Sequence, residues 1–277
     1  MSDFPRLRLK PKTDPRRLRH GFPWVYANEV VTDRRTKSIT PGTVAVLEDN
    51  DRTPIALVAV NTTSKIIGRV LDNDLSTVID TAWFATRIAQ ALALRDTLYD
   101  SPYYRLIHAE ADGLPGVIVD RFADVLVVQP NAAWADTRLN MLVDALVQET
   151  GAQTVLMNGT GRARILEGLP ELREPVQGNV PSAPVPVPMN GATYMADLAQ
   201  GQKTGLFYDQ RPNHAFAQKL AAGARVLDVF SHVGGFGLAA RAAGAAHVTC
   251  VDGSQPALDL AQLGADATHA HSGFATL

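Results

Sequence analysis

The chain has 277 residues, 46% hydrophobic and 19% charged, with 26 Lys and Arg against 28 Asp and Glu. That is the composition of a soluble globular protein of two to three domains, not of a disordered, fibrous or membrane-spanning one. No run of about 18 apolar residues occurs and the start is polar and basic, which excludes a transmembrane helix and a signal peptide and makes the cytoplasm the expected compartment. The single cysteine, Cys250, excludes an internal disulfide framework and a cysteine-based zinc site of the usual kind.

The near-neutral total hides an asymmetry. Residues 1–37 carry ten Lys/Arg and four Asp/Glu, a net of +6, while the remainder carries sixteen against twenty-four, a net of −8. Arg6, Arg8, Lys10, Lys12, Arg16, Arg17 and Arg19 are interleaved with Phe4, Phe22, Trp24 and Tyr26, a mixture suited to phosphate contacts and stacking on unpaired bases. The same residues read equally as a solvated terminus whose aromatics pack into a local core.

Thr43–Glu48 and Pro54–Val60 are β-rich runs around the polar turn at residues 49–53, and a further short strand is expected at Ile66–Leu71. Residues 76–99 change to helical spacing, with Val78, Trp83, Ile88, Leu92 and Leu98 apolar. Strands at Tyr104–Ala109, Gly116–Val119 and Val125–Gln129 then form a meander. A helix over 134–149 follows, closed by Gly151, and a strand at Thr154–Met157 comes after it. Pro175, Pro181, Pro184, Pro186 and Pro188 predict an extended, semi-rigid connection. Beyond it, a strand at Arg225–Phe230, a glycine turn, a helix at Phe236–Ala243 and a strand at His247–Val251 make a βαβ unit that opens a parallel sheet.

A strand, a glycine turn and a helix start suit a nucleoside and its polar tail, because glycines allow close approach and the helix end supplies free N–H donors. Asp252 follows Gly235 by seventeen residues, where its carboxylate could accept both hydroxyls of a ribose. The turn contains no G-x-G-x-x-G, and Asp228 on the first strand would repel a diphosphate but suits a cofactor carrying an ammonium group, which points to S-adenosyl-L-methionine. Taken alone, Gly234 and Gly235 could be no more than a tight turn.

Several ordered stretches carry a family likeness. They are Leu18-Arg19-x-Gly21-x-Pro23-Trp24-Val25-Tyr26, Asn61-x-x-Ser64-x-Ile66, and Glu110-Ala111-Asp112-Gly113-Leu114-Pro115-Gly116-x-x-Val119-Asp120-Arg121. Further along stand Gly201-Gln202-Lys203-Thr204-Gly205-x-Phe207-x-Asp209-Gln210-Arg211, Val226-Leu227-Asp228-x-Phe230-Ser231-x-x-Gly234-Gly235-Phe236 and Val251-Asp252-x-Ser254. From about residue 6 to 262 the chain resembles the PUA-domain-bearing, class I S-adenosylmethionine-dependent methyltransferases of large-subunit ribosomal RNA, whose best-known members make 5-methylcytosine.

The resemblance implies a multidomain α/β and α+β fold. An N-terminal β-rich PUA-like barrel would span 1–73 and bind ribosomal RNA, and a central α+β domain would span 74–183. Residues 184–277 would be the first part of a Rossmann-like class I methyltransferase domain. It also implies that Lys203, Thr204, Gly205, Phe207, Gln210 and Arg211 close over the methionine end of the cofactor. Asp228, Phe230, Ser231, Gly234 and Gly235 would make the glycine-turn contacts, and Asp252 and Ser254 would hold the ribose and adenine side. Arg211 or Lys203 could pair with the cofactor carboxylate, or both could be ordinary surface cations.

A complete domain of this class needs about seven strands and well over 150 residues, and only about 90 follow the proline-rich stretch. The expectation is a truncated chain whose catalytic parts, a D-P-P-like loop and a nucleophilic cysteine, lie beyond Leu277, so no catalytic residue is assigned. Cys250, inside an expected buried strand, is read as packing. The expected activity is methyl transfer to ribosomal RNA at cytosine C5. The alternatives are a non-catalytic RNA-binding protein with a degenerate methyltransferase remnant and, disfavoured by Asp228 and the missing pyrophosphate loop, a nicotinamide-dependent oxidoreductase. His20, His108, His214, His232 and His247 lack metal-ligand spacing and His269 and His271 are too lone a pair, so no metal is expected. No membrane contact is expected either, and the oligomeric state stays open, a homodimer included.

Overall fold

The computed structural model describes residues 4–199, 201, 205–269 and 272–277. The chain forms two compact units. One comprises Met1–Asp100, Leu106–Val119 and Asp124–Gly178, and the other Ser101–Arg105, Asp120–Ala123 and Asn179–Leu277.

The first unit opens with β1 (Arg6–Arg8), β2 (Trp24–Tyr26), β3 (Thr43–Glu48), β4 (Pro54–Val60) and β5 (Ile66–Asp72), in the order β1-β3-β4-β5-β2. β1 runs parallel to β3, and the other neighbours are antiparallel. An antiparallel bridge between Leu9 and Val30, with Lys10 N–H donating to the Glu29 carbonyl at 2.8 Å, joins the two edges and closes a small barrel. Period-two alternation turns Ala45 and Leu47 inward with Leu7, Leu18, Val25 and Val58.

The basic segment is ordered rather than frayed. It forms two short helices, α1 (Arg16–Arg19) and α2 (Arg34–Lys37), the second capped by the Asp33 carboxylate, which accepts from Thr36 N–H at 2.9 Å. Arg6, Arg17 and Arg19 pair with Glu48, Glu29 and Asp49. Phe22, Trp24 and Tyr26 pack on one another with centroids 6.3–6.4 Å apart, and Trp24 Nε1 donates to Glu110 at 2.8 Å. All three rings are part-buried, and Phe22 packs against the barrel core.

Further along this unit α3 (Thr81–Leu98) starts where Asp80 accepts from Trp83 N–H at 2.9 Å, five residues later than the spacing predicts. A second sheet has the order β10-β9-β8-β7-β6, from β6 (Tyr103–His108), β7 (Val117–Phe122), β8 (Val125–Pro130), β9 (Thr154–Asn158) and β10 (Arg173–Gln177), with residues 103–105 of β6 and 120–122 of β7 counted in the second unit. The helix expected over 134–149 is two, α4 (Ala133–Asp136) and α5 (Leu139–Thr150). The break falls at Arg138, at φ −118°, whose Nη1 donates to the carbonyls of Gly42 and Trp134 at 3.1 and 3.3 Å. Gly151 ends α5 in the left-handed region, φ 67°, as its position implies. The short α6 (Arg162–Leu166) precedes Glu167, 5% exposed, which joins barrel and sheet: it accepts from Asn61 Nδ2 at 2.9 Å and Arg69 Nη2 at 3.0 Å, while Arg69 Nη1 donates to Glu110 at 3.1 Å.

In the second unit the proline-rich stretch is not a free connection. β11 (Val185–Met189) pairs antiparallel with β12 (Ala192–Ala196), so part of the expected connector is a hairpin. Pro186 and Pro188 face outward while Val187 and Met189 are buried, and an outer strand tolerates proline where no N–H is owed to a partner. The arm α7 (Arg211–Gln218) leads to the parallel sheet β13 (Arg225–Val229), β14 (His247–Val251) and β15 (Phe274–Thr276), in the order β13-β14-β15. Its crossovers are α8 (Gly235–Ala242) and α9 (Gln255–Ala267). Leu238, Ala239, Val248, Ala261 and Ala265 are fully buried between these layers.

Candidate cofactor site

The second unit brings its chemistry-bearing residues to the carboxyl end of β13. The turn that follows is wound tightly, with Phe230, His232 and Gly234 all in the left-handed region, at φ 61°, 51° and 78°. Two non-glycine residues there are unusual, and such conformations persist only where surrounding bonds enforce them. Those bonds are visible: Ser231 N–H donates to the Val251 carbonyl at 3.1 Å, and Gly234 N–H to the Ser231 carbonyl at 2.9 Å. Asp252, just past β14, accepts His232 N–H at 2.8 Å through Oδ2 and Ser254 N–H at 2.9 Å through Oδ1.

Asp228 lies beneath this turn, 7% exposed, its Oδ2 accepting Gly237 N–H at 2.8 Å in the first turn of α8. Burial pushes its carboxyl above the ordinary carboxylate value, the α8 N–H groups counteract that, and the Asp252 charge adds to it. A Cβ on Gly237 would meet Cys250 Sγ and Val248 Cγ1, so only glycine lets α8 lie this close to β14. Cys250 itself is fully buried, and burial raises its thiol to about 12, which makes it packing rather than a nucleophile.

The structure thus brings Asp228, Ser231, Gly234, Gly235, Asp252 and Ser254 into one bonded turn. Phe207 joins them through the edge of the His232 ring, centroids 4.9 Å apart. Phe230 projects into solvent, 89% exposed. Gly205, at φ 96°, is buried against the Asp197 carbonyl. Gln210 is bonded by Asn213, and Arg211 Nη1 donates to the Tyr103 carbonyl at 3.0 Å, so this guanidinium is anchored to the start of β6. Lys203 and Thr204 lie outside the described residues, as do Gln202 of the same motif and His271 of the histidine pair. No group of three or more metal-ligating side chains occurs among the described residues.

Sequence reasoning missed three members. His232 was one more scattered histidine, yet its backbone is what Asp252 grips. Tyr194, on β12, donates its hydroxyl to the Gly235 carbonyl at 3.0 Å, and burial raises its pKa. His214, on α7, is wedged between the rings of Tyr194 and Phe236, centroids 6.2 and 4.5 Å away, with Nδ1 buried and unpartnered. Burial pulls it down to about 4. Neither contact leaves a periodic signal, because each pairs elements distant in the chain.

The donor set fits an adenosyl cofactor with a cationic tail. Each Asp252 oxygen holds one N–H and keeps a lone pair for a ribose hydroxyl. Ser231 Oγ is buried under the turn beside the Cys250 thiol, and the Asp228 carboxylate lies beneath the turn.

Two family models match the chain: a PUA-like domain over residues 7–73 and an S-adenosylmethionine-dependent methyltransferase over residues 124–271. Among curated relatives, the ribosomal RNA large subunit methyltransferase I of Shewanella amazonensis is 36% identical over 93% of this chain and 65% of that protein. The one from Photobacterium profundum is 38% identical over 90% and 64%, and a ribosomal RNA large subunit methyltransferase of Deinococcus radiodurans is 37% identical over 94% and 66%. The chain therefore spans just under two thirds of the length of the relatives it matches. The fold is shared with a Streptococcus mutans protein described as a SAM-dependent methyltransferase, at a TM-score of 0.81 with 19% identity over 99% of this chain and 70% of that one. A methyltransferase structure complexed with SAH gives a TM-score of 0.82 with 19% identity over 98% and 69%. With a model covering more than half of its residues, this chain belongs to the S-adenosylmethionine-dependent methyltransferase family.

Proposed function

We propose that this chain binds S-adenosylmethionine in its second unit and large-subunit ribosomal RNA through its N-terminal barrel, as part of a methyltransferase acting at cytosine C5. The observation that carries the reading is the turn after β13, fastened to Asp252 at 2.8 Å and lying over the buried Asp228 carboxylate. Bound there, the cofactor supplies an electrophilic methyl group on a sulfonium. Asp252 and Ser254 hold the ribose and adenine side, Asp228 supplies the negative charge for the ammonium group, and Gly234 and Gly235 let the turn approach the ligand. Gly205, Phe207, Gln210 and Arg211 take the methionine end, and the family resemblance assigns Lys203 and Thr204 the same role.

The domain division we propose is 1–73 for the barrel, 74–183 for the central part and 184–277 for the cofactor part, in a cytoplasmic protein. Cytosine C5 rests on the family resemblance, and the thiol that such chemistry uses is not Cys250.

Titration calorimetry of this chain with S-adenosylhomocysteine and with NAD tests the cofactor. Binding of the first and not the second is expected, and binding of NAD alone overturns it. RNA binding without any S-adenosylhomocysteine binding favours the non-catalytic RNA-binding reading. Nucleoside analysis of ribosomal RNA from cells with and without the gene that encodes this chain tests the base, with loss of a 5-methylcytidine expected and an unchanged 5-methylcytidine content overturning it.

A further inference from the structure

A cavity of about 840 Å³ lies on the outer face of the barrel. Val44 and Val46, 4% and 5% exposed, belong to its lining, and their inward-facing neighbours Ala45 and Leu47 fill the barrel core instead. Leu75 and Val78, 37% and 68% exposed, line it as well. Two further cavities, about 510 and 490 Å³, continue it. The first shares Phe4, Val44 and Arg138 with it, and the second shares Arg6 and adds Arg35. The result is one continuous groove with an apolar floor.

Its charge is one-sided. Arg6, Arg35 and Arg138 line the three cavities, and no Asp or Glu does, in a chain whose acids outnumber its bases. Arg138 is fixed by the Gly42 and Trp134 carbonyls through Nη1 and pairs with no carboxylate among the described residues. Burial alone lowers its pKa, with no acid to offset it. Arg34 and Lys37 stand exposed on α2 beside Arg35. Arg6 is balanced by Glu48 at 3.2 Å, whereas Arg35 and Arg138 have no ion pair with a carboxylate among the described residues, so the groove offers two guanidiniums to anions and an apolar side to flat groups.

We propose that this groove binds an unpaired stretch of the RNA substrate, with bases laid on the exposed Leu75 and Val78 side and phosphates on Arg35 and Arg138. The assignment rests on the RNA reading above and relocates the contact. The rings of Phe22, Trp24 and Tyr26, which the sequence suggests for stacking, are engaged with one another and with Glu110. A single strand offers exposed base faces and one charge per phosphate, which matches an apolar floor edged by cations, whereas a duplex keeps its bases stacked away from such a floor.

The test is fluorescence anisotropy of a labelled single-stranded 10-mer RNA against the full chain at several salt concentrations. Two phosphate contacts predict a log–log salt slope of about −1.4. Arg35→Glu and Val78→Glu, both at exposed positions, should each weaken binding about tenfold, and Arg35→Glu should also flatten the slope. Lys12→Glu, outside the groove, should change binding less than twofold. Wild-type binding that ignores the groove variants, or that Lys12→Glu weakens as much, overturns the groove alone. Absence of RNA binding at low salt overturns the RNA reading with it. Binding that needs Val78 but neither Arg35 nor low salt would make the groove a seat for an apolar partner and overturn the proposal.

Discussion

Asp252 accepts the backbone N–H of His232 at 2.8 Å from twenty residues further along the chain, and so holds the left-handed turn above the end of β13 in place. Only the carboxylate can take that N–H and the Ser254 N–H together and keep a lone pair on each oxygen for the ribose proposed above. Asp252→Asn exchanges one acceptor oxygen for a donor, and Asp252→Ala removes both. Hydrogen bonds to a charged group are worth about 1.5–3 kcal/mol, so S-adenosylhomocysteine affinity should fall by about ten- to a hundredfold on removal, less for Asn. Calorimetry reads this directly, and unchanged affinity in Asp252→Ala would show that the ligand sits elsewhere.

Gly237 sets the distance between α8 and β14. An alanine there drives its methyl into Cys250 Sγ and approaches Asp228 Oδ2 to 3.3 Å. Overpacking of this kind costs about 1–3 kcal/mol, and it should fall on the second unit. Cys250→Ala opens space for the intruding methyl, so the double variant should regain part of the loss by urea denaturation. A purely additive double variant would mean that the clash is not what the alanine suffers.

The buried Cys250 thiol, raised to about 12, should resist a disulfide reagent such as Ellman's in the native protein at pH 8 and react at once in denaturant. Rapid labelling of the folded chain would contradict its burial.

What was legible in the residues follows from physical range. β3, β4 and β14 lie where alternation and turn chemistry place them, because their signal is local. Asp252 was found by spacing, since the βαβ crossover fixes how far the second strand end lies from the turn. The proline-rich stretch misled because outward prolines of a hairpin leave the same local mark as those of an extended linker. Arg138 and Glu167 act through partners 96 and 106 residues away, and His214 through rings 20 and 22 residues away, and no periodicity reports such pairs. His214 in particular sits 2.6 Å from where a Cβ on Gly235 would be.

His214 also makes stability depend on pH. Its folded value, about 4, lies below the ordinary 6.5, so between these limits the unfolded chain binds the extra proton. Its contribution is complete above about pH 6.5 and is lost as pH falls toward 4. His214→Phe keeps a ring between Tyr194 and Phe236 and removes the titration. The urea midpoint of the variant should therefore fall less steeply than that of the wild type across this window. Parallel curves would place the proton elsewhere.

Glu167 joins two parts of the first unit, because its carboxylate receives both Asn61 Nδ2 and Arg69 Nη2 while almost fully enclosed. Arg69 has in turn only Glu110 as its other acidic partner among the described residues. Glu167→Ala leaves a guanidinium and an amide enclosed with fewer acceptors, and breaking a buried pair from one side costs about 3–5 kcal/mol. Glu167→Gln keeps the volume and one acceptor and should cost less. Replacing the whole set, with Asn61→Leu and Arg69→Met added to Glu167→Leu, removes the stranded groups along with the pair. It should be more stable than Glu167→Ala in thermal unfolding of the first unit. If Glu167→Ala unfolds like the wild type, the enclosed network is not what holds the barrel to the second sheet.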